Sequence, residues 1–189
     1  MKAKFLNLPN QITIFRLGLA ILSFIMMLTN KWLVAFILIF IAVILDIVDG
    51  KVARKFGQVT TQGVFLDIMA DKIVIISTFL IIGLKINIWF FYLGILMLIR
   101  EYIIDTMRAV AASKNKVITS DKFSKIKGIL FMMSMIMMVG NYTFNNTATS
   151  MNYIIISSIA IIMASIGIIF SYITLIRFAI LHKKLIYDK

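Results

Sequence analysis

The stretch LDIVDGKVARKFGQVTTQGVFLDIMADK, Leu45 to Lys72, decides how the rest of the chain is read. It holds Asp46, Asp49, Asp67 and Asp71, four of only eight acidic residues among 189, and long apolar runs flank it on both sides. An aspartate at the centre of a membrane helix costs about 2.5–3.5 kcal/mol on the insertion scale, so acids set into apolar sequence call for a functional account.

The flanks are apolar because the whole chain is. Hydrophobic residues make up 61% of it and the mean hydropathy is +1.00, more than a water-soluble surface can hide. A bilayer core takes about 20 apolar residues per spanning helix. Six spans are expected, at about 11–29, 32–55, 62–84, 87–112, 123–141 and 151–177, forming an all-α integral membrane protein with six transmembrane helices. The charge-free run from Gly128 to Ile176 accommodates two crossings, with NYTFNNTATSMN as the hairpin between them. The runs lack the period-two alternation of barrel strands. This leaves a single membrane domain over 1–189 and no separate soluble domain. Lys2 and Lys4 with Phe5, Leu6 and Leu8, ahead of Pro9, suit a short interfacial segment over 1–9.

Absence of cysteine excludes disulfides and zinc–thiolate sites. The net charge of +12 could suggest nucleic acid, but in a membrane chain the placement of charge matters more than its sum. With the N-terminus inside, only Lys31 and Lys85 fall near the outer face. The expectation is a multi-pass protein of the cytoplasmic membrane with both termini and the acids facing the cytosol.

Depth ties the acids together. Asp46 follows Lys31 by 15 residues and Asp71 precedes Lys85 by 14, which puts both roughly 21–23 Å from the outer boundary at 1.5 Å per residue. Asp46 and Asp49 are three apart and Asp67 and Asp71 four apart, so each pair shares a helix face. With the second and third spans as antiparallel neighbours, four carboxylates converge on one cavity. Two hard divalent cations, Mg²⁺ or Mn²⁺, would neutralise them, since oxygen-only ligands favour these over zinc. The structural alternative is salt bridges to Lys51, Arg54 or Lys72. Gly50 and Ala53 continue one acidic stripe and Gly63 precedes the other by a turn; small residues there allow either close helix packing or space for a ligand.

The pattern Asp46-x2-Asp49-Gly50-x2-Ala53-Arg54-x8-Gly63-x3-Asp67-x3-Asp71 resembles the signature of the CDP-alcohol phosphatidyltransferase family, and every fixed position is present. LPNQITIFR (Leu8–Arg16), LDIMADK (Leu66–Lys72), REYIIDTMR (Arg100–Arg108) and KIKG (Lys125–Gly128) are most similar to the bacterial branch whose acceptor is sn-glycerol 3-phosphate. The resemblance implies a six-helix membrane fold, a homodimer, and transfer of a phosphatidyl group from CDP-diacylglycerol with release of CMP. It implies metal ligation by Asp46, Asp49, Asp67 and Asp71, with Asp71 also the catalytic base. CDP binding falls to Asn10, Thr13, Asp49, Gly50, Ala53, Arg54 and Gly63. Two departures stand out: Ile68 where the family tends to proline, and Asp105 and Thr106 where related synthases tend to Thr-Gly.

A dianionic acceptor needs fixed cations, and Arg100, Arg108, Lys125 and Lys127 lie at inner positions on the fourth and fifth spans; positive-inside topology alone would also put them there. Glu101 is placed to orient Arg100 or Arg108. Asn10 also suits a helix N-cap. Other acceptors (inositol phosphate, serine or a lipid) and an ether-lipid donor fit the same signature. A divalent-cation transporter is the competing class, and Arg54 beside the acids argues against it. His182 reads as a solvated interfacial residue, the thirteen methionines as packing, and the Asn141, Tyr142, Thr143 sequon as incidental.

Overall fold

The structure, a computed structural model, describes residues 8–55, 61–113, 123–145 and 150–181; residues 8–9, 47–55, 61–62, 64 and 123–125 are described by their backbone alone. Among the described residues six helices follow in order: α1 Leu8–Leu28, α2 Trp32–Lys55, α3 Thr61–Lys85, α4 Ile88–Ser113, α5 Phe123–Phe144 and α6 Met151–Leu181. Each coincides with one expected span to within a few residues, and the described residues contain no strand. Three helical stretches, Asn10–Leu28, Ile126–Phe144 and Met151–Leu181, are long and apolar enough to cross a bilayer by length and composition. Many large apolar side chains point outward, Ile21, Phe40, Ile162 and Ile169 among them, as a lipid-facing surface requires.

Local chemistry sets the helix ends. At the end of α1, Asn30 takes a left-handed φ of 59°. Its N–H donates to the Met27 carbonyl and that of Lys31 to the Met26 carbonyl, the paired closure that satisfies a helix's last carbonyls. Lys85 Nζ adds a contact of 3.4 Å to the Leu28 carbonyl, placing the two lysines expected at one face at the same end of the bundle. Asn87 caps α4 by accepting from the Trp89 N–H, and Ser150 caps α6 through the Tyr153 N–H. Asn10 is not an N-cap: α1 starts at Leu8, with Pro9 tolerated in the first turn, so Asn10 lies inside the helix.

Three helical hairpins, α1–α2, α3–α4 and α5–α6, pack so that α3 touches α1, α4 and α5. The core centres on Phe79, Phe90, Phe131, Met135, Met138 and Val139, with Phe79 and Phe131 edge to face at 5.9 Å. Ala160, Ala164 and Gly167 give α6 a small-residue face against α5. A Cβ on Gly167 would lie 2.7 Å from the Phe131 ring, so the aromatic ring occupies the space glycine leaves. Polar ties reinforce this pair: Ser134 Oγ donates to the Ala160 carbonyl at 2.7 Å. Asn141 donates to the Tyr153 carbonyl and Ser157 Oγ, both at 2.9 Å. Asn141 is thus a buried clasp within α5, and the hairpin starts beyond Phe144.

The second and third spans were expected to be neighbours; among the described residues α2 and α3 do not pack on each other. Each packs instead on α1 and α5, which leaves a gap between the two acid-bearing helices at the end opposite Lys31 and Lys85.

Candidate functional site

Helical spacing builds the floor of that gap. Asn10, Thr13, Arg16, Ala20, Ser23 and Met27 form one buried stripe along α1, at the three- and four-residue steps of a single helix face. Arg16, only 2% exposed, carries its guanidinium between the acids. Its Nη2 donates to Asp67 Oδ1 at 2.7 Å, its Nη1 lies 3.1 Å from Asp71 Oδ1, and Nη1 also pairs with Asp46 Oδ1. Asp67 and Asp71 are one turn apart on α3, and Asp46 faces them from α2. One carboxylate oxygen from each of Asp46, Asp67 and Asp71 lies within 4.8 Å of the others. A buried charge requires a partner, and the three acids and one arginine supply each other.

The donor set is all oxygen and anionic, which fits a hard divalent cation and not a soft one. Below the carboxylates the gap narrows against Ala42, Val43, Val74, Met132 and Met135. The side chains of Asp49, Gly50, Ala53 and Arg54 lie outside the described residues, although the helix that carries them is described. Gly63 is half-buried on α3, and Asn10 and Thr13 are buried on α1 beside Arg16.

Asp71 also borders a second space, a cavity of about 270 Å³ between α3, α4 and α5. Lys72, Arg100, Glu101, Arg108 and Lys127 line it together with apolar Ile75, Met97 and Phe131. Of the four cations expected to meet an acceptor phosphate, the structure brings Arg100, Arg108 and Lys127 to this cavity; the Lys125 side chain lies outside the described residues. Their settings differ. Arg100 is 4% exposed and spends its donors on the Ser171 carbonyl at 3.2 Å, Thr174 Oγ1 at 3.1 Å and Glu101. It ties α4 to α6. Lys127 Nζ lies 2.9 Å from Glu101 Oε1. Arg108 is half-buried, and its Nε has no hydrogen-bond partner among the described residues.

Two groupings are wider than the sequence suggested. Arg16 pairs with the acids for which Lys51, Arg54 or Lys72 was considered; the Lys51 and Arg54 side chains lie outside the described residues, and Lys72 turns away to Asp105 at 2.5 Å and Glu101 at 3.3 Å. Glu101 pairs with Arg100, one of the two arginines it was expected to orient, and also with Lys127 and Lys72; Arg108 is not among its ion-pair partners in the described residues. The available signal for Arg16 was its place in the α1 stripe: a charge three residues from Thr13 and four from Ala20 faces inward with them.

A family model described as CDP-alcohol phosphatidyltransferase matches residues 6–175. The chain belongs to the CDP-alcohol phosphatidyltransferase family. Among curated relatives, a CDP-diacylglycerol--glycerol-3-phosphate 3-phosphatidyltransferase of Wigglesworthia glossinidia brevipalpis is 34% identical over 74% of this chain and 80% of its own length. Proteins of the same name from Bacillus subtilis and Blochmanniella floridana are 35% and 32% identical, over 64% and 69% of this chain and 70% and 72% of their own lengths.

Proposed function

We propose that this phosphatidyltransferase moves the phosphatidyl group of CDP-diacylglycerol to a hydroxyl of sn-glycerol 3-phosphate, forming phosphatidylglycerophosphate and CMP. The observation that carries the reading is Asp71, whose carboxylate belongs at once to a convergent acidic cluster and to a cavity lined by arginine and lysine. Such a pairing suits a reaction between a pyrophosphate and an anionic alcohol. The printed names of the relatives support the same donor and acceptor.

In this mechanism Asp46, Asp67 and Asp71, joined by Asp49, hold two divalent cations, Mg²⁺ or Mn²⁺. Ions held there would supply positive charge to screen the pyrophosphate and the departing phosphate oxygen. Asn10, Thr13, Gly50, Ala53, Arg54 and Gly63 hold the cytidine diphosphate, while the acyl chains stay in lipid. Arg108 and Lys127, assisted by Lys125, bind the acceptor phosphate, and Arg100 fixes the cavity wall. Asp71 accepts the proton of the attacking hydroxyl; the new oxygen–phosphorus bond forms as the bond to CMP breaks, and CMP leaves with the electron pair. The whole chain acts as one membrane domain with six crossings in the cytoplasmic membrane. Its acids and termini face the cytosol, and two copies pair through their helices. The shared end of Lys31 and Lys85 supports that orientation.

An acceptor panel tests this. Purified protein in detergent, with labelled CDP-diacylglycerol and Mg²⁺, should release CMP with glycerol 3-phosphate at least tenfold faster than with serine, inositol phosphate or a lipid alcohol. Faster turnover with another acceptor would overturn the choice of substrate, and no turnover with any alcohol would overturn the enzymatic reading.

A further inference from the structure

We infer that Arg16 is a built-in counter-cation of the acidic cluster: it holds Asp46, Asp67 and Asp71 together without metal and competes with divalent ions for the same carboxylates, setting their affinity. The inference rests on reading these aspartates as metal ligands. Three carboxylates with oxygens inside 4.8 Å of one another repel one another, and partial burial weakens the screening that water gives them. The described residues place one cation among all three, and it comes from a third helix: Nη1 and Nη2 of Arg16 reach Asp46, Asp67 and Asp71 together. Arginine suits this post because it stays charged when buried and its planar fork bridges several oxygens.

Geometry gives the role a direction. The guanidinium lies on Oδ1 of all three carboxylates, so a metal ion drawn to the same cluster sets a second positive charge against it and loosens its hold on them. The stem of Arg16 emerges from the same α1 face as Asn10 and Thr13, the face assigned to the nucleotide. The loosened guanidinium therefore stays beside the incoming pyrophosphate. A residue needed only to shape the site would, when removed, weaken metal binding. A competing counter-cation would, when removed, strengthen it. The sign of the change separates the two.

The test is Mn²⁺ binding to the full-length protein in detergent without substrates, followed by electron paramagnetic resonance, with thermal unfolding measured in EDTA and in Mg²⁺. Arg16→Gln should tighten Mn²⁺ binding about tenfold or more, the scale on which a neighbouring opposite charge alters a carboxylate's hold on a proton. Its Tm in EDTA should fall while the gain on adding Mg²⁺ grows. Arg16→Lys, which keeps a charge but loses the fork, should bind Mn²⁺ a few-fold more tightly than the wild type and serves if the glutamine variant does not fold. Unchanged or weaker Mn²⁺ binding in whichever variant folds overturns the counter-cation role while leaving the metal site intact. Failure of the wild-type protein to bind Mn²⁺ at all overturns the metal reading and this inference with it.

Discussion

On the proposed mechanism, replacing Arg108 by alanine should separate acceptor recognition from the rest of the site. Arg108 lines the cationic cavity, and its Nε is buried with no hydrogen-bond partner among the described residues. Its removal should therefore cost little stability. A hydrogen bond to a charged group contributes about 1.5–3 kcal/mol, which at 1.4 kcal/mol per factor of ten is roughly a 12- to 150-fold loss of affinity. Lys127 cannot fully compensate, because its ammonium is shared with Glu101 at 2.9 Å, so the upper half of that range is expected. The assay is CMP release at fixed CDP-diacylglycerol with varied glycerol 3-phosphate: KM should rise by that factor with kcat changed less than about threefold. Glycerol, which lacks the phosphate, supplies the control, and its slow turnover should be the same in both proteins. An unchanged KM for glycerol 3-phosphate, or an equal loss with glycerol, would refute the assignment of Arg108 to the phosphate.

Asp71→Asn should lower kcat by about 10²–10⁴, the usual worth of a positioned base, while labelled CDP-diacylglycerol still binds; activity near the wild-type value would remove Asp71 from the proton transfer. Arg100→Ala, by contrast with Arg108→Ala, should lower the unfolding midpoint in detergent, because it deletes the tie to Ser171 and Thr174 on α6 and leaves buried groups unpartnered, at about 1–3 kcal/mol. A midpoint unchanged in Arg100→Ala would contradict that structural role. Asn141→Ala should destabilise the α5–α6 pair by about 1–2 kcal/mol, within what interhelical hydrogen bonds contribute in membranes. Circular dichroism during thermal unfolding checks it, and an unaltered midpoint would show the clasp to be energetically idle.

The helices were legible because hydrophobic length is a local property: α2 from Trp32 to Lys55 and α3 from Thr61 to Lys85 fall where the apolar runs place them. The facing of Asp46 toward Asp67 and Asp71 was legible for a related reason, since equal depth and three- or four-residue spacing fix level and face. Partner choice was not. Arg16 and Asp67 are 51 residues apart; the spacing along α1 turns Arg16 inward, but it does not say which acids the guanidinium meets there. Packing order escaped as well. A short link between α2 and α3 suggests neighbours, yet α1 and α5 come between them, and only tertiary contacts decide that. Arg100 and Arg108 look equivalent in REYIIDTMR, and what distinguishes them is the backbone of α6 at Ser171, more than sixty positions downstream. Asn10 shows how fine the margin is at helix ends: a start three residues earlier, at Leu8 and not at residue 11, turns a cap into an interior position.

Asp71 is the common wall of two chambers, the carboxylate gap and the cationic cavity. On the proposed mechanism, an inhibitor that leans on this wall leaves evolution little room. A substitution at Asp71 that evicts the compound also strips the enzyme of its proton acceptor, so resistance would have to arise elsewhere, at residues whose loss the reaction tolerates.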